Sequence, residues 1–248
     1  MMELKTTGQL DKMRRAGRIV AETLSLMKQE VQPGVTTLEL DRLAEDYIRK
    51  CGAIPAFKGY NGFPATLCTS VNEQVVHGIP SLRKLQLGDI ISIDCGAVID
   101  DYFGDAAVTL PVGDISPELR KLLKVTEESL MLGIDQAKIG CRLQDISHAV
   151  QTHVEGRGFS VVRDYVGHGI GKAMHEEPQI PNFGRPGRGP RLEVGMVLAI
   201  EPMVNLGTFE VQTLEDHWTV VTRDRKASAH FEHTVAITKN GPEILTRC

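Results

Sequence analysis

The sequence predicts an α+β chain made of two similar halves, each a pair of helices followed by strands, related by a pseudo-two-fold axis. Two observations carry this. A shift of 106 residues lays Gly34 on Gly140, Gly52 on Gly158, and apolar Leu40, Leu43 and Ile48 on Ile146, Ala149 and Val154. At a shift of 107, Gly88-Asp-Ile-Ile-Ser-Ile-Asp94 falls on Gly195-Met-Val-Leu-Ala-Ile-Glu201. Each segment is a glycine, a strand-like run and a carboxylate six residues on. A near-constant offset marks a structural repeat, and it predicts that the equivalent carboxylates meet at the centre.

Residues 9–31 carry Leu10, Met13, Ile19, Val20, Leu24 and Met27 at helical spacing and stop at Pro33-Gly34. A second helix begins at Thr36, with Glu39 completing a capping box, and ends near Gly52. Ser116 and Pro117 open a third, as a cap followed by proline at the first helical position. A fourth runs from about Leu143 to Gly156. Strand-like runs cover 90–99, 102–110, 196–204, 218–222 and 231–238. No linker or low-complexity stretch interrupts them, so residues 1–248 read as a single domain with repeat halves of about 1–110 and 111–248.

A chain of 248 residues buries a sizeable core. Its net charge of −4 gives no general pull toward nucleic acid or anionic membrane. The small basic clusters, Arg185, Arg188 and Arg191, then Arg223, Arg225 and Lys226, read as solvated loops. The cysteines, Cys51, Cys68, Cys95, Cys141 and Cys248, show no CxxC spacing and suggest neither a disulfide framework nor a zinc ribbon. The start lacks an apolar stretch of signal-peptide length, and no run approaches the roughly 18 apolar residues of a membrane span. The expected location is the cytoplasm, with reduced thiols.

The acids carry the chemistry. Asp94 and Asp105 flank a short connection at Asp100-Asp101. A hairpin centred there pairs 99 with 102 and 96 with 105. Asp94 is then the diagonal, same-face neighbour of Asp105, at roughly 7–8 Å between backbones. Carboxylates so placed can both reach a pair of cations about 3.5–4 Å apart. The plainer alternative is two exposed hairpin acids. Against it, Asp94 ends a run that reads as a buried strand, where a carboxylate needs a cation or a proton.

Glu201 stands in the same predicament after Val-Leu-Ala-Ile, and Pro202 marks where regular pairing ends. In His230-Phe-Glu-His-Thr-Val-Ala-Ile, alternation puts His230, Glu232 and Thr234 on one face and Phe231, His233 and Val235 on the other. His233 therefore reads as structural. His168 stands between glycines in Gly167-His-Gly-Ile-Gly171, a spacing that fails the dinucleotide fingerprint and does not by itself make a ligand. His175-Glu-Glu-Pro-Gln179 is not the HExxH zinc helix, since Gln179 replaces the second histidine and Pro178 interrupts. Nothing points to a covalent nucleophile. A mainly oxygen-donor set suits Mn(II), Fe(II), Co(II) or Zn(II), and the residues alone lead to a hydrolytic dimetal site.

Taken in order, the markers resemble the methionine aminopeptidases of the creatinase-like or "pita-bread" fold. These markers are Val76-His-Gly-Ile-Pro80, Asp94 with Asp105, Gly167-His-Gly-Ile-Gly171 with His175, Ile200-Glu-Pro-Met203 and Phe231-Glu-His-Thr234. The similarity spans roughly residues 4–246 and looks like the bacterial type I form, because the 33 positions from His168 to Glu201 leave no room for the helical insertion of type II enzymes.

The resemblance implies a curved antiparallel sheet covered by two pairs of helices, and one catalytic domain. It implies five metal ligands: Asp94, Asp105, His168, Glu201 and Glu232. Asp105 and Glu232 would bridge two divalent ions, Asp94 would chelate one, and His168 and Glu201 would complete the other. His77 and His175 would face substrate, with His175 on the scissile carbonyl, and Glu201 would relay a proton to the leaving amine. Tyr60, Phe63, Cys68, Met203 and Trp218 would form the methionine pocket, with Phe57 and Met174 nearby. For each pocket residue, ordinary core packing is the alternative.

The implied activity is cotranslational removal of the initiator methionine, favouring a small second residue. It implies N-terminal methionine peptides and nascent chains as partners, with ribosome association, a monomer, no membrane and no sequence-specific nucleic acid. Met2 after Met1 would make self-processing poor. The rivals are an Xaa-Pro aminopeptidase or prolidase, disfavoured by a chain that starts directly at the repeat, a metal-free binding protein on the same fold, and metal-free creatinase-like chemistry.

Overall fold

The computed structural model describes residues 3–247, so Met1, Met2 and Cys248, with the self-processing reading that rests on the first two, lie outside the described residues. In the first half α1 (Thr7–Glu30) and α2 (Thr37–Lys50) precede β1 (Ile54–Pro55), β2 (Leu67–Val71), β3 (Gln74–Val76), β4 (Ile90–Ile99) and β5 (Tyr102–Pro111). In the second half α3 (Pro117–Gln136) and α4 (Leu143–Glu155) precede β6 (Ser160–Val161), β7 (Gly167–Gly169), β8 (Glu176–Ile180), β9 (Val197–Ile200) and β10 (Met203–Asn205). It continues with β11 (Val211–Thr213), β12 (Val220–Thr222), β13 (Ser228–His230), β14 (His233–Thr238) and β15 (Gly241–Ile244). Every strand pairing is antiparallel. Among the described residues, no helix is long and apolar enough to cross a membrane.

The duplication is legible atom by atom. Gly34 and Gly140 both hold φ +94°, as do Gly88 and Gly195, a left-handed conformation that favours glycine. The Thr36 side chain and Glu39 cap α2 reciprocally, and Asp145 takes the Arg142 N–H at 2.6 Å at the same place on α4. The residues that α2 buries, Thr37, Leu40, Asp41, Ala44 and Ile48, correspond one for one to Leu143, Ile146, Ser147, Val150 and Val154 of α4. Leu43, expected on that apolar face, is instead 39% exposed. Its equivalent is Ala149, and a 3.6-residue period carries both past the buried stripe.

Each helix pair covers its own sheet. Ile19, Met27, Leu40 and Ile48 pack with Leu67, Ile91 and Ile93 in one core. Leu122, Leu130, Ile146 and Val150 pack with Leu198, Ile200 and Val235 in the other. Burial of this order, at about 25 cal/mol per Å² of apolar surface, is what holds each pair to its strands.

Three expected strands are shorter than the sequence suggested. The run 196–204 splits into β9 and β10 at Glu201-Pro202. The run 231–238 starts only at His233, with β13 ending at His230. The run 218–222 begins at Val220. The first two breaks have one cause. Pro202 has no N–H to offer a ladder, so the chain leaves the β9–β14 sheet there and joins the β10–β13 sheet. The resulting gap is where two of the acids sit.

Candidate metal centre

The two halves meet along a short seam between β5 and residues 230–234. At its middle Glu232 and Ala107 exchange backbone hydrogen bonds of 2.9 and 3.4 Å. On either side a threonine hydroxyl replaces direct backbone pairing. Thr234 Oγ1 donates to Asp105 O at 2.7 Å and accepts from Asp105 N at 3.1 Å. Thr109 Oγ1 donates to His230 O and accepts from His230 N, both at 2.8 Å. The interposed hydroxyls take the place of direct backbone bonds, and the acidic side chains of both halves line one cavity beside the seam.

Asp94 and Asp105 arrive on β4 and β5, whose register pairs Gly96 with Asp105 and Ile99 with Tyr102, as the hairpin predicted. Asp94 also lies opposite Cys68 of β2. Glu201 follows the end of β9, and Asn182 Nδ2 fixes its backbone by donating to Glu201 O at 3.0 Å. Glu232 stands just before β14. His168 comes from β7, paired with Ala199 of β9. The alternation expected for 230–235 survives the strand break: His230 and Glu232 line the cavity, Phe231 and Val235 enter the second core, and His233 Nδ1 meets Thr246 Oγ1 at 2.9 Å.

All five predicted ligands line one cavity of about 240 Å³. One ligand atom each from Asp105, His168 and Glu232 lies within 4.8 Å of the others. His168 Nδ1 donates to Gly169 O at 2.9 Å, since a carbonyl can only accept. Its Nε2 is left as a lone pair 3.7 Å from Glu201 Oε1 and 3.9 Å from Asp105 Oδ2. A backbone carbonyl orienting the far nitrogen is how metal-binding imidazoles are held. Burial lowers the His168 pKa to about 4, so the ring stays neutral at physiological pH.

The acids are under strain of a different kind. Burial lifts Asp105 to about 7. Burial first, then neighbouring carboxylates, pushes Asp94, Glu201 and Glu232 well above the usual range. Among the described residues no lysine or arginine lines the cavity. Asp94 Oδ1, Asp105 Oδ1 and Glu232 Oε1 are buried with no hydrogen-bond partner. Buried anions that lack both partners and counter-charge call for cations. The donor set, carboxylate oxygens and one neutral imidazole, fits divalent metal ions.

Beside the acids, from Cys68 next to Asp94 onward, the lining turns apolar. Phe57, Phe63, Cys68 and Met174 form a buried cluster joined by Tyr60 and Trp218, and Met203 lines the same cavity. His77 sits in left-handed backbone, φ +60°, with its ring edge-on to Tyr165 at 5.6 Å and Trp218 at 6.5 Å. His175 Nδ1 lies 2.8 Å from the Tyr60 hydroxyl, and its ring centroid is 4.3 Å from that of His168. Tyr165, Asn61 and His230 also line the cavity and were not singled out from the sequence. For His230 the signal existed: alternation had placed it on the Glu232 face. Its Nε2 is 3.4 Å from Glu201 Oε2.

Fold and site together define a metallopeptidase: the chain belongs to metallopeptidase family M24, whose family model matches residues 11–239. Relatives that it matches from end to end include methionine aminopeptidases. One, from Clostridium acetobutylicum, is 60% identical over 249 residues and is covered in full, as is this chain. The solved methionine aminopeptidase of Thermotoga maritima superposes with a TM-score of 0.98 at 48% identity, with 100% of each chain covered. The Xaa-Pro dipeptidase of Bacillus anthracis superposes with a TM-score of 0.78 at 21% identity, covering 99% of this chain and 62% of that one, a likeness of fold alone.

Proposed function

We propose that this chain removes the N-terminal methionine from peptides and nascent proteins by hydrolysis assisted by two divalent metal ions. The observation that carries the proposal is the convergence of four carboxylates and one neutral imidazole in one cavity that, among the described residues, no lysine or arginine lines. Asp94, Asp105, His168, Glu201 and Glu232 would hold the ions. Asp105 and Glu232, side by side across the seam, would serve both, with Asp94 on one and His168 and Glu201 on the other. Four ionised carboxylates balance two dications, which is the argument for a pair. Bound there, the ions would supply Lewis acidity and activate water near neutral pH.

The chain's own groups do the rest. With the Tyr60 hydroxyl 2.8 Å from His175 Nδ1 and donating to it, Nε2–H of the neutral ring would be free to donate to the scissile carbonyl as its oxygen gains charge. Burial holds His77 near pKa 4, so it too meets the substrate as a neutral hydrogen-bonding ring. Glu201 takes the proton of the attacking water and returns it to the leaving amine. Phe57, Phe63, Cys68, Met174, Met203 and Trp218 enclose an unbranched thioether side chain and exclude water around it. This reading takes residues 1–248 as one catalytic domain, a cytoplasmic monomer acting on chains emerging from the ribosome. Cys51, Cys68, Cys95 and Cys141, all unpaired, accord with a reducing compartment.

An Xaa-Pro peptidase shares the fold, so substrate decides between the two. Reconstituted enzyme should cleave Met-Ala-Ser and spare both acetyl-Met-Ala-Ser and Xaa-Pro dipeptides. Cleavage of the Xaa-Pro series in preference to Met-Ala-Ser would overturn the assignment.

A further inference from the structure

The side chain of Lys5 is only 1% exposed, although it lies just ahead of α1 and far in sequence from the cavity. Its Nζ donates to Glu176 Oε2 at 2.7 Å, with the more exposed Glu3 carboxylate 3.3 Å away. A buried ammonium is tolerated only with a partner, and Glu176 is that partner. The slot is built for it. A Cβ on Gly171 would stand 2.4 Å from Lys5 Cε, and one on Gly195 would stand 2.8 Å from Lys5 O. Lys5 N–H also donates to Gly195 O at 2.7 Å, which fixes the backbone.

The other oxygen of Glu176 closes the turn between β7 and β8. Glu176 Oε1 accepts the N–H groups of Lys172 at 2.9 Å and Ala173 at 3.2 Å. That turn carries Met174, buried against the apolar wall, and His175, whose ring meets Tyr60 and lies tilted beside that of His168. None of the five proposed metal ligands lies within it. Its geometry therefore bears most directly on where His175 sits, and Mn(II) affinity reports whether it also reaches His168, whose ring lies 4.3 Å away.

We propose that Lys5 is a positioning residue for the reaction: through Glu176 it sets the β7–β8 turn and so the placement of His175 on the scissile carbonyl. This rests on the role given to His175 above. The test is a double-mutant cycle, with kcat and KM on Met-Ala-Ser measured for Lys5→Met, His175→Ala and the pair, in metal-reconstituted protein. Thermal unfolding and Mn(II) affinity are measured alongside, and Arg14→Met, which breaks a more exposed ion pair on α1, serves as a control for losing an ion pair away from the cavity. A misplaced catalytic group costs up to about 100-fold. Lys5→Met should lower kcat roughly 10- to 100-fold with KM and metal affinity nearly unchanged, and should add less than about two-fold in the His175→Ala background. Arg14→Met should leave kcat as it is.

A full additional loss in the His175→Ala background would show that Lys5 acts by some other route and overturn the proposal. So would an unchanged kcat in Lys5→Met, and in either case the proposed function would stand. Undiminished activity in His175→Ala would instead remove the role given to His175, and the proposal with it.

Discussion

Thr109 and Thr234 occupy mirrored places on the seam, each hydroxyl donating to and accepting from one residue of the opposite half, His230 and Asp105 respectively. Between them lies the Glu232–Ala107 backbone pair. The seam that joins the two halves is thus also what spaces Asp105 and Glu232.

Replacing Thr234 with valine keeps the shape and removes the hydroxyl, leaving the buried Asp105 N–H and C=O without partners. An unsatisfied buried polar group costs about 1–3 kcal/mol. Because Asp105 is itself a proposed ligand, metal affinity should fall roughly 10- to 100-fold. Calorimetric titration with Mn(II), beside thermal unfolding of the metal-free protein, reads both quantities. Unaltered affinity in Thr234→Val would mean that the seam does not set the ligand spacing.

Gly96 faces the apolar wall. A Cβ there would meet Phe57 Cε1 at 2.7 Å, Ala56 Cβ at 2.9 Å and Met174 Cε at 3.1 Å. Two of these are the far ends of side chains that can swing, so Gly96→Ala should deform the pocket more than the fold. One methylene in an apolar pocket is worth about 10- to 200-fold in discrimination. KM for Met-Ala-Ser should rise by about ten-fold with kcat less affected. A normal KM would place the methionine side chain elsewhere in the cavity.

Arg14 on α1 grips Glu243 of β15 with two parallel hydrogen bonds, 2.7 and 2.8 Å. Those bonds hold the Glu243 pKa below its ordinary value. A depressed carboxylate pKa gives stability that is present above the unfolded value, about 4.3, and lost as pH falls through the folded one. Both side chains are 37% exposed, so solvent screening limits the pair to about 1 kcal/mol or less. Arg14→Met should unfold at a lower urea concentration than the parent at neutral pH, and the gap should close as pH falls below the ordinary glutamate range. A gap that persists in acid would trace the effect to packing of the arginine stem.

How much of this was legible from sequence follows physical range. The Asp94–Asp105 register was readable because Asp100 and Asp101, both at positive φ, make a two-residue turn that fixes every pair behind it. The repeat was readable because glycines at φ +94° recur at the same steps in both halves. The break at Glu201-Pro202 was marked by the proline, but its echo at Phe231-Glu232 was not, since that depends on which distant strand pairs with residues 231–238. His168 needed the resemblance, because nothing local distinguishes a ligand imidazole from any other buried histidine. The fold supplied what was missing, Nδ1 tied to Gly169 O and Nε2 turned toward the acids.

The central claim is that the seam acids hold divalent ions which make this chain an aminopeptidase. It is tested most directly by metal-stripped protein given Mn(II), Fe(II), Co(II) or Zn(II) in turn and assayed on Met-Ala-Ser, beside Glu232→Ala. The account predicts methionine release that depends on added metal and is lost in the variant. Folded protein that binds none of the four metals and releases no methionine would contradict it.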